Sequence, residues 1–250
     1  MCCVGSSDVV SVVIPCLNEA DRIEQAVKSA LSQPTHAQVE VIVVDGQSTD
    51  KTVPLAKKHG IKVLSCKPSR SNQMNLGADH ARGKLLLFLH ADCSLPDRYV
   101  EAIQATRSRS SPKCRWGAFE TIKLDVPGWQ SSFLQATVRL RSGLLHFPYG
   151  DQAIFVEKDL FRSIGGFKQM PLLEDVDLVC RLRKLGPPAL VRQPITTSAR
   201  RWQRLGLFQT TLMNQGGTAP PAPHGRQLLT LLANPPTHGP GSQRGSKTGA

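Results

Sequence analysis

Four short apolar runs mark the first 92 positions: residues 9–14 (VVSVVI), 39–44 (VEVIVV), 61–65 (IKVLS) and 85–89 (LLLFL). Each has strand length and near-continuous apolar character, which predicts buried strands. Between the runs the apolar period becomes helical. Ile23, Ala26, Val27, Ala30 and Leu31 share one helix face, with Asn18, Glu19 and Asp21 as helix-start residues and Pro34 as the stop. Ser48, Thr49 and Asp50 can cap a helix running to His59, ended by Gly60. Ser71 opens a third helix with Met74, Ala78 and Ala81 on one side, closed by Gly83. Residues 9–92 therefore read β-α-β-α-β-α-β, the pattern of a parallel sheet covered by helices on both faces.

The remainder is more mixed. Helices are expected over 97–107, 129–145, 159–164, 174–185 and 200–214, and strands over 117–124, 153–156 and 189–191. Trp116 and Trp129 read as core residues. From Gly216 onward the chain is rich in Gly and Pro, and residues 216–250 read as a disordered tail. The domain is expected to span 9–215, with residues 9–95 as one half and 96–215 as the other.

Open sheets of this kind bind ligands beyond the carboxyl ends of their strands. Asn18 and Glu19 follow the first strand, Asp45 ends the second, and His90 and Asp92 follow the fourth. Three polar clusters should thus meet on one rim. A carboxylate ending a buried strand must be paired, and a loop cap, a salt bridge or a ligand each satisfies that need.

Composition narrows the partners. The net charge is +12, with Arg200, Arg201 and Arg204 in one acid-free stretch. Such a balance favours anionic partners such as nucleotide phosphates or acidic lipid headgroups, and equally serves a solvated face. The seven cysteines show no CxxC spacing, so neither a zinc knuckle nor a disulfide framework is expected. The first ten residues lack a signal-peptide pattern and no run is long enough to span a bilayer. A cytoplasmic protein is expected, with any peripheral membrane contact falling to the basic C-terminal region. No nucleic-acid-reading motif is present and aromatics are only 5%, which argues against a nucleic-acid binder.

Seven stretches, in order, carry a resemblance: 11–20 (SVVIPCLNEA), 41–52 (VIVVDGQSTDKT), 69–78 (SRSNQMNLGA), 83–96 (GKLLLFLHADCSLP), 150–167 (GDQAIFVEKDLFRSIGGF), 172–185 (LLEDVDLVCRLRKL) and 197–203 (TSARRWQ). Together they resemble family-2 glycosyltransferases, most closely the selenodomain-associated transferase 2 group. The resemblance implies a GT-A-type, Rossmann-like α/β fold, a mostly parallel sheet flanked by helices in a single domain.

The resemblance also implies roles. Pro15, Asn18 and Glu19 would line the base and ribose pocket, and Asp45 would accept from the base, most often uracil. Arg70 and Asn72 stand at a helix N-terminus, a natural place to hold phosphate or sugar oxygens. His90-Ala91-Asp92 occupies the place of a DxD motif, with His90 replacing the first acid. Asp92 and His90 would hold Mg²⁺ or Mn²⁺ against the donor's diphosphate. Asp175 would be the general base that takes the acceptor hydroxyl's proton in an inverting displacement. Three acids in a first helical turn also stabilise the helix dipole, and one acid can do both. Gly150, Asp151 and Gln152 would shape the acceptor side together with Glu174, where a plain turn before a strand is the alternative. Arg201 and Trp202 would close over diphosphate and acceptor, or form a solvated basic helix. The acceptor itself, whether lipid, glycan or small molecule, is not readable.

Two other classes share parts of this pattern. A sugar-1-phosphate nucleotidyltransferase needs a Gly-rich, Arg-containing loop after the first strand, and residues 15–19 (PCLNE) contain neither. A catalytically inactive nucleotide-binding relative, acting as a binding or regulatory protein, stays open on sequence alone.

Overall fold

The computed structural model describes residues 9–34, 38–109, 114–125, 135–136, 138–140, 147–170 and 172–198. The expectations for residues 199–250, including Arg201, Trp202, the helix over 200–214 and the Gly/Pro-rich tail, lie outside those residues, as does Trp129.

The elements run β1 (Val10–Cys16), α1 (Ile23–Leu31), β2 (Val39–Asp45), α2 (Thr52–Lys57), β3 (Lys62–Ser65), α3 (Arg70–His80), β4 (Leu85–Phe88), β5 (Cys93–Ser94), α4 (Tyr99–Arg109) and β6 (Trp116–Leu124). A single 3-10 turn (Gly150–Gln152) leads to β7 (Phe155–Glu157), α5 (Lys158–Ser163), α6 (Glu174–Arg183) and β8 (Ala189–Thr197). The strands form one sheet in the order β3-β2-β1-β4-β7-β6-β8-β5. β1 to β4 are parallel, as are β6 and β8, whereas β7 runs antiparallel to β4 and β6.

The strand order explains the layering. Moving from β1 through β2 to β3 and then back to β4 reverses direction at β1. Right-handed crossovers therefore place α1 and α2 on one face and α3 on the other. On the α3 side, Val13, Ile42, Val44, Leu86 and Phe88 join Met74, Ala78, Phe161, Leu178 and Leu182 in one buried cluster. Alternation sends Val12, Ile14 and Val43 to the opposite face. There the buried side of α1 lies, and the Tyr99 hydroxyl of α4 donates to the Ala30 carbonyl.

Some boundaries differ from expectation for identifiable reasons. α1 has Arg22 at its N-cap position and no side-chain cap, and the Asn18 side chain instead accepts the Thr49 N–H of the neighbouring loop. α3 starts at Arg70 because the Ser69 hydroxyl, not Ser71, accepts from the Asn72 N–H. β8 runs on past Pro194 to Thr197, a length that its short apolar run hid. It tolerates the proline through a break in register with β6, where Arg192 and Gln193 stand opposite Glu120. Trp116 is buried, as expected, and its indole N–H donates to the Gly186 carbonyl.

Candidate active site

The carboxyl ends of β1, β2 and β4 form one rim, because these strands are adjacent and parallel. Cys16 pairs with Asp45 at the end of β1 and β2, and β4 lies on the other side of β1. With strands about 4.8 Å apart, β2 and β4 flank β1 about 10 Å from each other, with Asp45 level with Cys16 and the end of β4 level with Val13. Asp45 and the His90–Asp92 turn are thus on the same side of the molecule.

The β1–α1 and β2–α2 loops are laced together on this rim. Asn18, in a left-handed conformation, accepts the Thr49 N–H on Oδ1 and donates its own N–H to Ser48. The Glu19 N–H donates to the Thr52 hydroxyl and that of Ala20 to Asp50. Asp45 is buried, and its carboxylate accepts the Ser48 N–H at 3.0 Å. Pro15 is the penultimate residue of β1, paired with Val44. Underneath, the buried amide of Gln73 on α3 donates to both the Cys16 and Val44 carbonyls at 2.8 Å. Sequence reasoning missed Gln73. Its only signal was a polar residue four positions before Gly77, a glycine within the helix.

The chain reverses after β4. The Cys93 N–H donates to the His90 carbonyl at 3.0 Å, closing a turn over His90-Ala91-Asp92. β5 then pairs with the end of β8, and the Ser198 N–H donates to the Asp92 carbonyl. His90, Asp92 and Cys93 each offer a ligand atom, all within 4.8 Å of one another. Burial pushes the Cys93 thiol well up, the Asp92 charge adds to this, and the Thr197 hydroxyl opposes it. An imidazole and a carboxylate so close suit a divalent cation. Cys93 went unnoticed in the sequence although it adjoins the motif.

The second half of the site comes from α6. Its three first-turn acids point to three different partners. Glu174, buried, accepts from Arg70 at 3.2 Å, tying the first turn of α6 to that of α3. Asp177 accepts from Lys168 and Arg181. Asp175 accepts the Gly150 N–H at 2.8 Å and the Val176 N–H at 2.9 Å. A carboxylate has about four acceptor positions, so Asp175 keeps capacity for another partner.

Gly150 is where the halves meet. A methyl group there would stand 2.9 Å from Asp175 Oδ2 and 3.0 Å from His90 Nε2. The motif histidine and the α6 carboxylate therefore flank the same glycine. Gln152, fully buried, holds this turn in place: its amide donates to the Phe119 and Glu120 carbonyls beside the β6–β8 irregularity, and its oxygen accepts the Tyr149 N–H. Asp151 lies between them, half-buried.

A parallel β3-β2-β1-β4 sheet with acids on its carboxyl rim, joined to an antiparallel return that brings in a second acidic helix, defines a GT-A-type transferase. Solved structures of that class share the fold. The Staphylococcus aureus TarS fragment 1–349 in complex with UDP matches with TM-score 0.61 at 16% identity, over 82% of this chain and 65% of that one. Glucosyl-3-phosphoglycerate synthase from Mycobacterium tuberculosis, solved with Mn²⁺, UDP and glucosyl-3-phosphoglycerate, matches with TM-score 0.57 at 20% identity, over 85% and 81%. A glycosyl transferase family 2 model matches residues 11–160, and the chain belongs to that family. An uncharacterized glycosyltransferase of Mycobacterium tuberculosis is 29% identical over 205 residues, 76% of this chain and 72% of the relative. A PGL/p-HBAD biosynthesis glycosyltransferase of Mycobacterium bovis is 26% identical over 219 residues, 84% and 82%. Among the described residues no helix is long and apolar enough to cross a membrane.

Proposed function

We propose that this chain transfers a sugar from a UDP-linked donor to an acceptor hydroxyl, with inversion and with the help of a divalent cation. The observation that carries the reading is the meeting of His90 and Asp175 across Gly150. It would put the proposed cation turn and the proposed base beside each other, as a single displacement requires.

In this reading Pro15, Asn18, Glu19 and Asp45 receive the base and ribose. Asp45 keeps acceptor capacity beyond its bonds from Ser48 and the Cys16 thiol. Arg70 uses one nitrogen on Glu174 and offers its other donors to phosphate or sugar oxygens, beside Asn72 in the same helical turn. His90 and Asp92 would hold Mg²⁺ or Mn²⁺, which when bound neutralises charge on the departing diphosphate. Asp175 takes the acceptor hydroxyl's proton, held in aim by the Gly150 N–H. Gly150, Asp151, Gln152 and Glu174 shape the acceptor side.

The test separates binding from turnover. Asp175→Asn is expected to keep UDP-and-Mn²⁺ thermal stabilisation while losing transfer or donor hydrolysis by about 10²–10⁴-fold, the usual worth of a general base. Asp92→Ala is expected to lose the metal-dependent stabilisation itself. Turnover by Asp175→Asn at the wild-type rate would refute the base assignment. Stabilisation without any turnover in the wild-type chain would instead favour a binding-only relative.

A further inference from the structure

We propose that the cation site at the His90–Asp92 turn has a third protein ligand, the Cys93 thiolate, and so prefers a borderline ion such as Zn²⁺ or Co²⁺ to Mg²⁺. The inference rests on reading this turn as the diphosphate–cation motif and names its donor set.

Geometry carries it. The ligand atoms of His90, Asp92 and Cys93 lie within 4.8 Å of one another. Donors bound to one tetrahedral ion at 2.0–2.3 Å stand about 3.3–3.8 Å apart. Cys93 Sγ is already 3.6 Å from Asp92 Oδ1. The backbone imposes this closeness: the His90–Cys93 turn reverses the chain, and β5 pairing with β8 holds Cys93 in register with Thr197. Cys93 is buried, while His90 and Asp92 are half-buried.

One neighbour supports a ligating sulfur. The Thr197 hydroxyl is 3.4 Å from Sγ and can donate to a thiolate, as outer partners of metal ligands do. Mg²⁺ demands oxygen donors in octahedral array, whereas imidazole and thiolate together favour Zn²⁺ and Co²⁺. Only the thiolate ligates, so binding displaces the thiol proton to solvent.

The full chain is titrated with Co²⁺ and followed by absorption, with Mn²⁺-dependent and Zn²⁺-dependent UDP stabilisation followed in parallel. The wild type is expected to develop a near-ultraviolet thiolate-to-cobalt band that Zn²⁺ abolishes by displacement. Cys93→Ser is expected to lose the band, to keep Mn²⁺ binding, and to weaken Zn²⁺ by at least about tenfold, the least that losing even an outer partner costs. Cys93→Ala, which buries no hydroxyl, should repeat the loss. Co²⁺ bound by the wild type without the band overturns the proposal, as does a band or a Zn²⁺ affinity unchanged in both variants. Metal-dependent UDP stabilisation without the band keeps the diphosphate reading and removes Cys93. The band without metal-dependent UDP stabilisation keeps Cys93 and removes the diphosphate reading.

Discussion

Gly150 is constrained by what flanks it rather than by its backbone, since its φ is not in the left-handed region. An added methyl would press on the ends of two polar side chains, Asp175 and His90, which can yield by rotation. Gly150→Ala should therefore fold with little change in melting temperature. Its turnover should fall about 10²-fold, because a displacement near 1 Å at a reacting group costs that much. Equal losses in turnover and stability would mean that the glycine serves packing alone. The acids of 174–177 were visible in the sequence as a group, but not their division of labour. Glu174, Asp175 and Asp177 look alike in the chain, and only the neighbours brought by α3, the 150–152 turn and residues 164–170 set them apart.

At the scale of elements, α3 joins the two halves. Its buried face carries Gln73 to the ends of β1 and β2, and Gly77 lets it approach so closely that a Cβ there would lie 2.3 Å from a Val13 methyl. Gln73→Met keeps the volume but removes two buried bonds. It should cost about 1–3 kcal/mol in denaturant-monitored stability, about 0.5–1.5 kcal/mol for each of the two bonds lost. It should also weaken UDP binding, since Asp45 follows directly on the Val44 carbonyl that Gln73 holds. A stable variant with normal UDP binding would show that the rim does not depend on this clamp. The helix was legible from Met74, Ala78 and Ala81. Its inward amide was not, because a buried glutamine is recognised only through the carbonyls it meets.

For the molecule as a whole, one end of the sheet carries the site and the opposite end carries an electrostatic clasp. Glu40 accepts from the Ser11 hydroxyl and from the Arg82 backbone and side chain, while Ser11 in turn accepts the Gly83 N–H. Burial pushes the Glu40 carboxyl up, but these donors outweigh it and hold it below the usual glutamate range. A folded-state value below the unfolded one stabilises fully above about pH 4.3, and that contribution is lost as pH falls through the folded value. Glu40→Gln should thus melt lower than wild type at pH 7, with the two curves converging as pH falls toward 3. A gap that stays constant with pH would assign Glu40 a purely steric role.

Periodicity alone determined the β-α-β-α-β-α-β half, its parallel sheet and the rim that carries Asp45 and Asp92, because buried strands and amphipathic helices advertise themselves locally. The later half was less legible. The 189–191 apolar run concealed a strand reaching Thr197, and the two-residue β5 has too little pattern to be read. Only the tertiary structure decided that Gly150 lies between His90 and Asp175, and that Cys93 turns in beside Asp92. Those contacts arise where an antiparallel return lays distant segments on the parallel sheet, and a pairing between strands far apart in the chain leaves no period in either one.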